Sequence, residues 1–286
     1  MIIWLASYPK SGNTWLRAFI TSLLSKSTGE NSLENMRAVR AYPLTDDFYN
    51  LLDDFSDFKK IAKNWETSQD IINLQKKIKI FKTHHQLCKI DNFLFTNYKN
   101  SLATIYVVRD PRNVITSLMH HYSLKNYEDA LKFIFDEHRF SGRLDKKENI
   151  TRQTEFPTYI SSWQNHFNSW KNFKKNFLLI KYEDLVNKPE KTFSKISKFL
   201  EIILNIKVAN KKIDEAIIKS SFNNLQKSEE KFGFSEAPIS DLTNETKKFF
   251  NLGPKNNWQD LLPNLIKIEI EKKFQEEMIE LGYLDS

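Results

Sequence analysis

The sequence predicts a three-layer α/β fold, a central parallel sheet flanked by helices, carried by one domain over residues 1–286. Three observations lead there. The opening residues Met1-Ile2-Ile3-Trp4-Leu5-Ala6-Ser7 are continuously apolar up to the serine instead of alternating, as in a strand buried on both faces. Short apolar runs then alternate with stretches of helical spacing, the order that builds parallel strands joined by crossover helices. No repeat of 20–50 residues and no low-complexity linker divides the chain.

Taken in order, the first strand leads to a segment, Asn13 to Lys26, that sets Trp15, Leu16, Phe19, Ile20, Leu23 and Leu24 at helical spacing. Further strands are expected at Ile78–Phe81, Leu102–Val108 and Phe177–Ile180, each an apolar run bounded by polar or turn residues. Helices are expected at about 111–124, 127–140, 158–174, 189–202, 210–220 and 262–281. In sheets of this kind ligands bind beyond the carboxyl ends of the strands.

Composition narrows the chemistry. A chain of 286 residues buries roughly 75% of its unfolded surface, so it needs no staples. Its one cysteine, Cys88, can form no internal disulfide and no thiolate metal site; it reads as a small buried hydrophobe. The 43 basic against 36 acidic residues give +7, but the lysines are scattered apart from short runs such as Lys59–Lys60 and Lys76–Lys77. That field steers small anions, and no nucleic-acid partner is expected. The first residues are too short an apolar run for a signal peptide, and no stretch approaches the ~18–20 apolar residues that span a bilayer. A cytoplasmic protein without a membrane partner is expected. Nothing specifies an oligomeric state.

The most informative string is Ser7-Tyr8-Pro9-Lys10-Ser11-Gly12-Asn13-Thr14-Trp15, directly after the first strand and opening the first helix. A helix start leaves backbone N–H groups unpaired and carries partial positive charge, so it receives phosphate. Gly12 allows close backbone approach, Ser11 and Thr14 add hydroxyls, and Lys10 adds a mobile cation. The segment is shaped like a P-loop but is not a Walker A sequence, because its lysine precedes the glycine. An ordinary capped helix with an exposed lysine would account for pieces of the string only.

In the second string, Thr104-Ile105-Tyr106-Val107-Val108-Arg109-Asp110-Pro111-Arg112-Asn113-Val114-Ile115-Thr116-Ser117, a buried strand ends in arginine and Pro111 starts a helix. Arginine binds phosphate bidentately. Ser117, eight residues after Arg109, lies two turns along that helix, so one anion could be reached from both. Alone, the Arg-Asp-Pro-Arg turn also reads as a structural ion pair. Between these strings stands Lys82-Thr83-His84. A lone histidine at a strand end is commonly structural, and His85 beside it raises a metal alternative. Neighbours at i and i+1 point apart, though, and no ligand cluster follows, so no metal site is expected.

Together the strings resemble the family of sulfotransferases that use 3′-phosphoadenosine-5′-phosphosulfate (PAPS), over most of the chain. The resemblance implies a P-loop-like fold in which Lys10, Ser11, Gly12, Asn13, Thr14 and Trp15 bind the 5′-phosphosulfate, Trp15 lying beside the adenine. It implies a 3′-phosphate site at Arg109 and Ser117. It makes Lys82 and His84 the catalytic pair, with Lys82 on the sulfuryl group and His84 as general base. Leu178-Leu179-Ile180-Lys181-Tyr182-Glu183-Asp184-Leu185 resembles the family strand whose tyrosine, here Tyr182, lies near the cofactor. Ser220-Ser221-Phe222 resembles the stretch that packs on the adenine. The family's C-terminal cofactor loop reads Arg-Lys-Gly followed shortly by Gly-Asp-Trp. Here Asn251-Leu252-Gly253-Pro254-Lys255-Asn256-Asn257-Trp258 keeps Gly253 and the tryptophan, loses the arginine, and leaves Lys255 as the nearest cation able to replace it.

The implied reaction is in-line sulfuryl transfer from PAPS to a hydroxyl or amine of a small-molecule or carbohydrate acceptor, releasing 3′,5′-ADP (PAP). An imidazole of ordinary pKa near 6.5 suits the base, Lys10 and Lys82 offset charge, and no metal is required. Two other readings stand beside it. A P-loop kinase using ATP·Mg²⁺ would need a Walker lysine and an acidic metal ligand; a nucleotide-binding module without catalysis would leave Lys82-Thr83-His84 without a task. The segments 28–75, 126–158 and 226–250 match no motif and are expected to wall the acceptor pocket, with Tyr42, Phe48, Tyr49, Phe55, Phe58, Tyr127, Phe140, Phe232 and Phe234 as its aromatics or as core.

Overall fold

The opening strand organises the structure because all six of its residues are buried. A computed structural model describes residues 1–25, 32–142, 154, 156–239 and 245–285. The strands, in chain order, are β1 (Ile2–Ser7), β2 (Lys79–Thr83), β3 (Lys89–Ile90), β4 (Phe93–Leu94), β5 (Ser101–Val108), β6 (Phe140–Ser141), β7 (Thr158–Tyr159) and β8 (Phe177–Lys181). Four of them form the sheet, in the order β2-β1-β5-β8; β3 pairs with β4 and β6 with β7 in two short ribbons. The sheet is parallel and flanked by helices, the α/β class the sequence predicts. Register sets Ala6 opposite Thr83 on one side and Tyr106 on the other. The carboxyl ends of β1, β2 and β5 therefore finish together.

By contacts the chain divides into two compact units. One is Met1–Tyr8, Val39–Val107 and Glu137–Leu179; the other is Pro9–Ala38, Val108–Asp136 and Ile180–Ser286. The first unit is built around Trp4, whose ring lies 5.4 Å from those of Tyr42 and Phe95 and 6.5 Å from that of Trp170. A buried ring this size cannot leave its N–H unpaired at no cost, and Trp4 Nε1 donates to Ser101 Oγ at 2.8 Å. The Tyr42 hydroxyl is joined to Ser68 Oγ at 2.6 Å, and Gln69 Nε2 donates to the Phe95 carbonyl at 2.6 Å. These three side chains are thus satisfied as they are buried.

In the second unit the helix Asn13–Leu24 packs on the helix Asn210–Lys219 and the turn Met36–Ala38. Ala18, Leu33, Met36, Leu225 and Phe250 form its core cluster, with Trp15, Phe222, Phe234 and Phe249 packed against it. Phe19 and Phe193 meet at 4.2 Å. Arg17, 4% exposed, is buried with a partner: its Nη1 bonds Glu236 Oε1 at 2.6 Å.

Several element boundaries differ from expectation. The helix expected over 127–140 ends at Phe135, where Asp136 turns extended, and Phe140 instead pairs with Tyr159. The helix expected from 158 begins at Trp163, because Ser162 caps it by accepting from the Asn165 N–H. The helix expected over 262–281 starts at Asn264 after Pro263 and breaks at Phe274. Helices Phe58–Lys63, Trp65–Leu74, Tyr182–Asn187 and Phe222–Phe232 add to those expected. Of the segments expected to wall an acceptor pocket, residues 28–31, 143–153, 155 and 240–244 lie outside the described residues. Within the rest, Tyr42 and Phe48 are core, 2% and 0% exposed, whereas Tyr49, Phe140 and Phe232 are exposed. Among the described residues no helix is long and apolar enough to cross a membrane.

Candidate active site

The anion-binding string lies mostly in the second unit. Lys10 has φ +65 and Gly12 φ +102, so left-handed residues flank Ser11 and turn the chain into the helix Asn13–Leu24. Left-handed backbone costs free energy at a lysine, and such strain gathers at functional sites. The helix start has no side-chain cap and no acidic residue in its first turn, leaving its dipole available to an anion. Ser11 Oγ is buried without a hydrogen-bond partner, as is Trp15 Nε1. Ser11, Asn13 and Thr14 are themselves buried. An orphaned buried hydroxyl at a helix start fits a phosphate group, which supplies the acceptor it lacks.

Tyr182 closes the other side of this turn. A Cβ at position 12 would lie 2.6 Å from Tyr182 Cδ2, so the approach requires glycine. Trp15 meets the Tyr182 ring edge-on at 5.8 Å and Phe193 at 6.0 Å. The Arg109 guanidinium stacks 4.1 Å over Tyr182 and donates from Nη1 to the Lys10 carbonyl at 3.0 Å. Burial raises the Tyr182 phenol pKa, with Arg109 opposing in part. The two arginines of the Arg-Asp-Pro-Arg turn thus have separate tasks. Arg112 is the structural one, bonded to Asp110 at 2.7 Å and Glu271 at 2.5 Å, while Arg109 joins the string.

Lys10 Nζ lies 3.2 Å from His121 Nδ1 and 4.4 Å over the Phe249 ring. Neither neighbour carries a sequence signal. Phe249 is held in turn by Glu229, whose carboxylate accepts from the Phe249 and Phe250 N–H groups at 2.6 and 2.9 Å. Ser221 precedes the helix Phe222–Phe232 without a side-chain cap bond. A Cβ at Gly253 would fall 2.1 Å from the Phe222 ring, so these two predicted residues come together. Gly253 begins the turn Gly253–Lys255, and Lys255 is exposed. Asn256 fastens this turn to the helix Pro111–His121, which carries Ser117. It accepts from Thr116 Oγ1 at 2.7 Å and donates to the Asn113 carbonyl at 2.8 Å, and Asn113 Oδ1 takes the Trp258 N–H at 2.8 Å.

Lys82 and His84 belong to the first unit, with Ser7. Lys82, near the end of β2, is 8% exposed. His84 Nδ1 lies 2.8 Å from the Ser7 carbonyl and 3.3 Å from its hydroxyl. A carbonyl only accepts, so Nδ1 carries the proton and the neutral ring keeps its lone pair on Nε2. His85 points the other way: it is fully buried, stacked on Phe95 at 4.7 Å, and burial pushes its pKa down to about 3. The sequence missed one histidine here, the buried His166. It joins the Tyr106 hydroxyl through Nδ1 at 2.8 Å and the His84 carbonyl through Nε2 at 3.1 Å. Among the described residues no group of three or more His, Cys, Asp or Glu is arranged to hold a metal ion.

Comparisons with known proteins identify the family. The sequence profile of the sulfotransferase domain matches residues 2–282. The chain belongs to the sulfotransferase domain family. It is 26% identical to cytosolic sulfotransferase 7 of Arabidopsis thaliana, over 95% of this chain and 78% of that protein. It is 25% identical to flavonol 3-sulfotransferase of Flaveria bidentis, over 96% of this chain and 81% of that one. Among solved structures, mouse sulfotransferase SULT7A1 complexed with PAP shares the fold, with a TM-score of 0.58 at 21% identity, covering 96% of this chain and 83% of that one. The protein is therefore a sulfotransferase and an enzyme.

Proposed function

We propose that this sulfotransferase moves the sulfuryl group of PAPS to a hydroxyl or amine of a small-molecule acceptor, in the cytoplasm and without a metal, as one domain spanning the chain. The observation that carries the reading is the 2.8 Å bond from His84 Nδ1 to the carbonyl of Ser7, the first residue of the anion-binding string. It orients an imidazole base from the residue where that string begins, and it leaves Nε2 as the basic nitrogen. The flavonol relative, by its name, supports a small-molecule hydroxyl as the acceptor class; a carbohydrate is the other class to test.

When bound, the donor supplies a sulfuryl group activated by its 5′-phosphate. The chain's residues do the rest. His84 Nε2 takes the proton that the acceptor hydroxyl loses as its oxygen bonds to sulfur and the sulfur–oxygen bond to the 5′-phosphate breaks. Lys10 and Lys82 offset charge on the leaving phosphate and the sulfuryl oxygens. Ser11, Asn13 and Thr14 at the helix start hold the 5′-phosphate, and Gly12 with Tyr182 and Trp15 shapes the cradle. Arg109, Ser117 and Lys255 address the 3′-phosphate; Ser221, Phe222 and Gly253 hold the adenosine.

His84→Ala tests the base directly. Turnover should fall about 10²–10⁴-fold while 3′,5′-ADP affinity measured by calorimetry stays within a few-fold, because the base meets the acceptor and not the nucleotide. Undiminished turnover in that variant would remove His84 from the mechanism.

A further inference from the structure

His166 is on the helix Trp163–Lys171, 82 residues from His84, and is fully buried. Both ring nitrogens are engaged, and the partners decide which one carries the proton. The His84 carbonyl, 3.1 Å from Nε2, can only accept, so Nε2 is protonated and donates. Nδ1 is then the acceptor for the Tyr106 hydroxyl at 2.8 Å. The Tyr106 oxygen receives in turn the backbone N–H of Tyr8. Tyr8 follows Ser7, whose carbonyl accepts from His84 Nδ1.

These bonds close a ring. It runs from the Tyr8 N–H to Tyr106, from Tyr106 to His166, from His166 to the His84 backbone, from the His84 imidazole to Ser7, and through one peptide back to Tyr8. Every donor points the same way round, the arrangement in which hydrogen bonds polarise and strengthen each other. The Tyr8 ring also packs edge-on against His166 at 5.6 Å. Burial pushes the His166 pKa down to about 3, so this imidazole stays neutral and does not exchange roles with His84 near neutral pH.

We propose that His166, with Tyr106, is a positioning residue for the base: the ring fixes His84 in the tautomer that leaves Nε2 unprotonated and at the height where β1, β2 and β5 end. His166 has no surface with which to touch substrate, so its effect on turnover passes through His84. The proposal rests on the reading of His84 as general base, and its test separates the two.

The test compares His166→Phe, His166→Gln and Tyr106→Phe with the wild type, with His84→Ala as reference. His166→Phe should lower kcat some 10- to 100-fold, the scale seen when an outer partner that orients an imidazole is lost. Acceptor KM and 3′,5′-ADP affinity should stay within about threefold. His166→Gln, whose amide can donate to the same carbonyl and accept from Tyr106, should recover most of that loss. Tyr106→Phe removes one hydroxyl and keeps the ring, so it serves should His166→Phe not fold; it should lower kcat in the same direction. Nitrogen NMR of the His84 imidazole gives a readout independent of turnover. Nδ1 should be protonated in the wild type and in His166→Gln, and the two tautomers should mix in His166→Phe or Tyr106→Phe. Wild-type kcat and an unchanged His84 spectrum in the Phe variants would overturn the proposal. Active His84→Ala with a changed spectrum in the Phe variants would overturn the base reading and keep the ring's control of the tautomer.

Discussion

At the residue scale, adjacent histidines part company because a chain leaving a strand alternates sides. Lys82-Thr83-His84 was legible as a motif, and a half-buried His84 beside a fully buried His85 agrees with that register. His121 and His166 were not legible, since their partners Lys10, Tyr106 and His84 lie 111, 60 and 82 residues away. Burial also makes an acid-sensitivity prediction. The folded pKa of His85 is about 3, well below the ordinary 6.5, so between these values only the unfolded chain binds the proton. The stability it contributes is fully present above pH 6.5 and falls as pH drops, by about 1.4 kcal/mol per pH unit. His166 adds a second such slope. His85→Leu should therefore flatten the acid loss by about half between pH 6 and 4 and keep turnover at pH 7. Urea midpoints across that range check it; a slope equal to the wild type's would show that His85 does not titrate as described.

At the scale of elements, the sheet strands were readable from apolar runs, as was the first helix from its spacing. The helix ends were less so, because they are decided by single caps such as Ser162 or by a break such as Phe274. The C-terminal turn was readable as a departure from the family pattern but not as a fastened object. Its anchor is Asn256, which bonds residues some 140 positions earlier. Two neighbouring variants should therefore behave differently. Lys255→Ala removes one charge from an exposed turn; if that lysine meets the 3′-phosphate, 3′,5′-ADP should weaken ten- to a hundredfold and 5′-AMP hardly at all, a charge-assisted contact being worth about 1.5–3 kcal/mol. Asn256→Ala removes both bonds that fasten the turn to the helix Pro111–His121, although Thr116 Oγ1 keeps the Asn113 carbonyl as an acceptor, so it should lower stability by about 1–3 kcal/mol and weaken both ligands alike. Calorimetry on the two ligands decides between them. Equal losses from Lys255→Ala would mean that the turn covers the whole nucleotide and does not read its 3′ group.

At the scale of the molecule, the chain passes between its two units five times, so no single cut separates them. One cooperative unfolding transition is expected, coincident by fluorescence and circular dichroism; two resolved transitions would contradict the single-domain reading. With EDTA present, 3′,5′-ADP at a hundredfold excess over Kd should raise stability by about 2.7 kcal/mol. The family and the parallel α/β class could be read from sequence because motif order survives where pairwise identity falls to 26%. The acceptor could not, because its expected walls carry no motif and are in part core. The central claim is tested most directly by following labelled sulfate from PAPS in EDTA against phenolic, aliphatic, amine and sugar acceptors. The account predicts that label leaves with a small acceptor, that 3′,5′-ADP forms in equal amount, and that His84→Ala abolishes both. No acceptor-dependent release of 3′,5′-ADP across that panel, with turnover of ATP·Mg²⁺ in a parallel assay without EDTA, would contradict it.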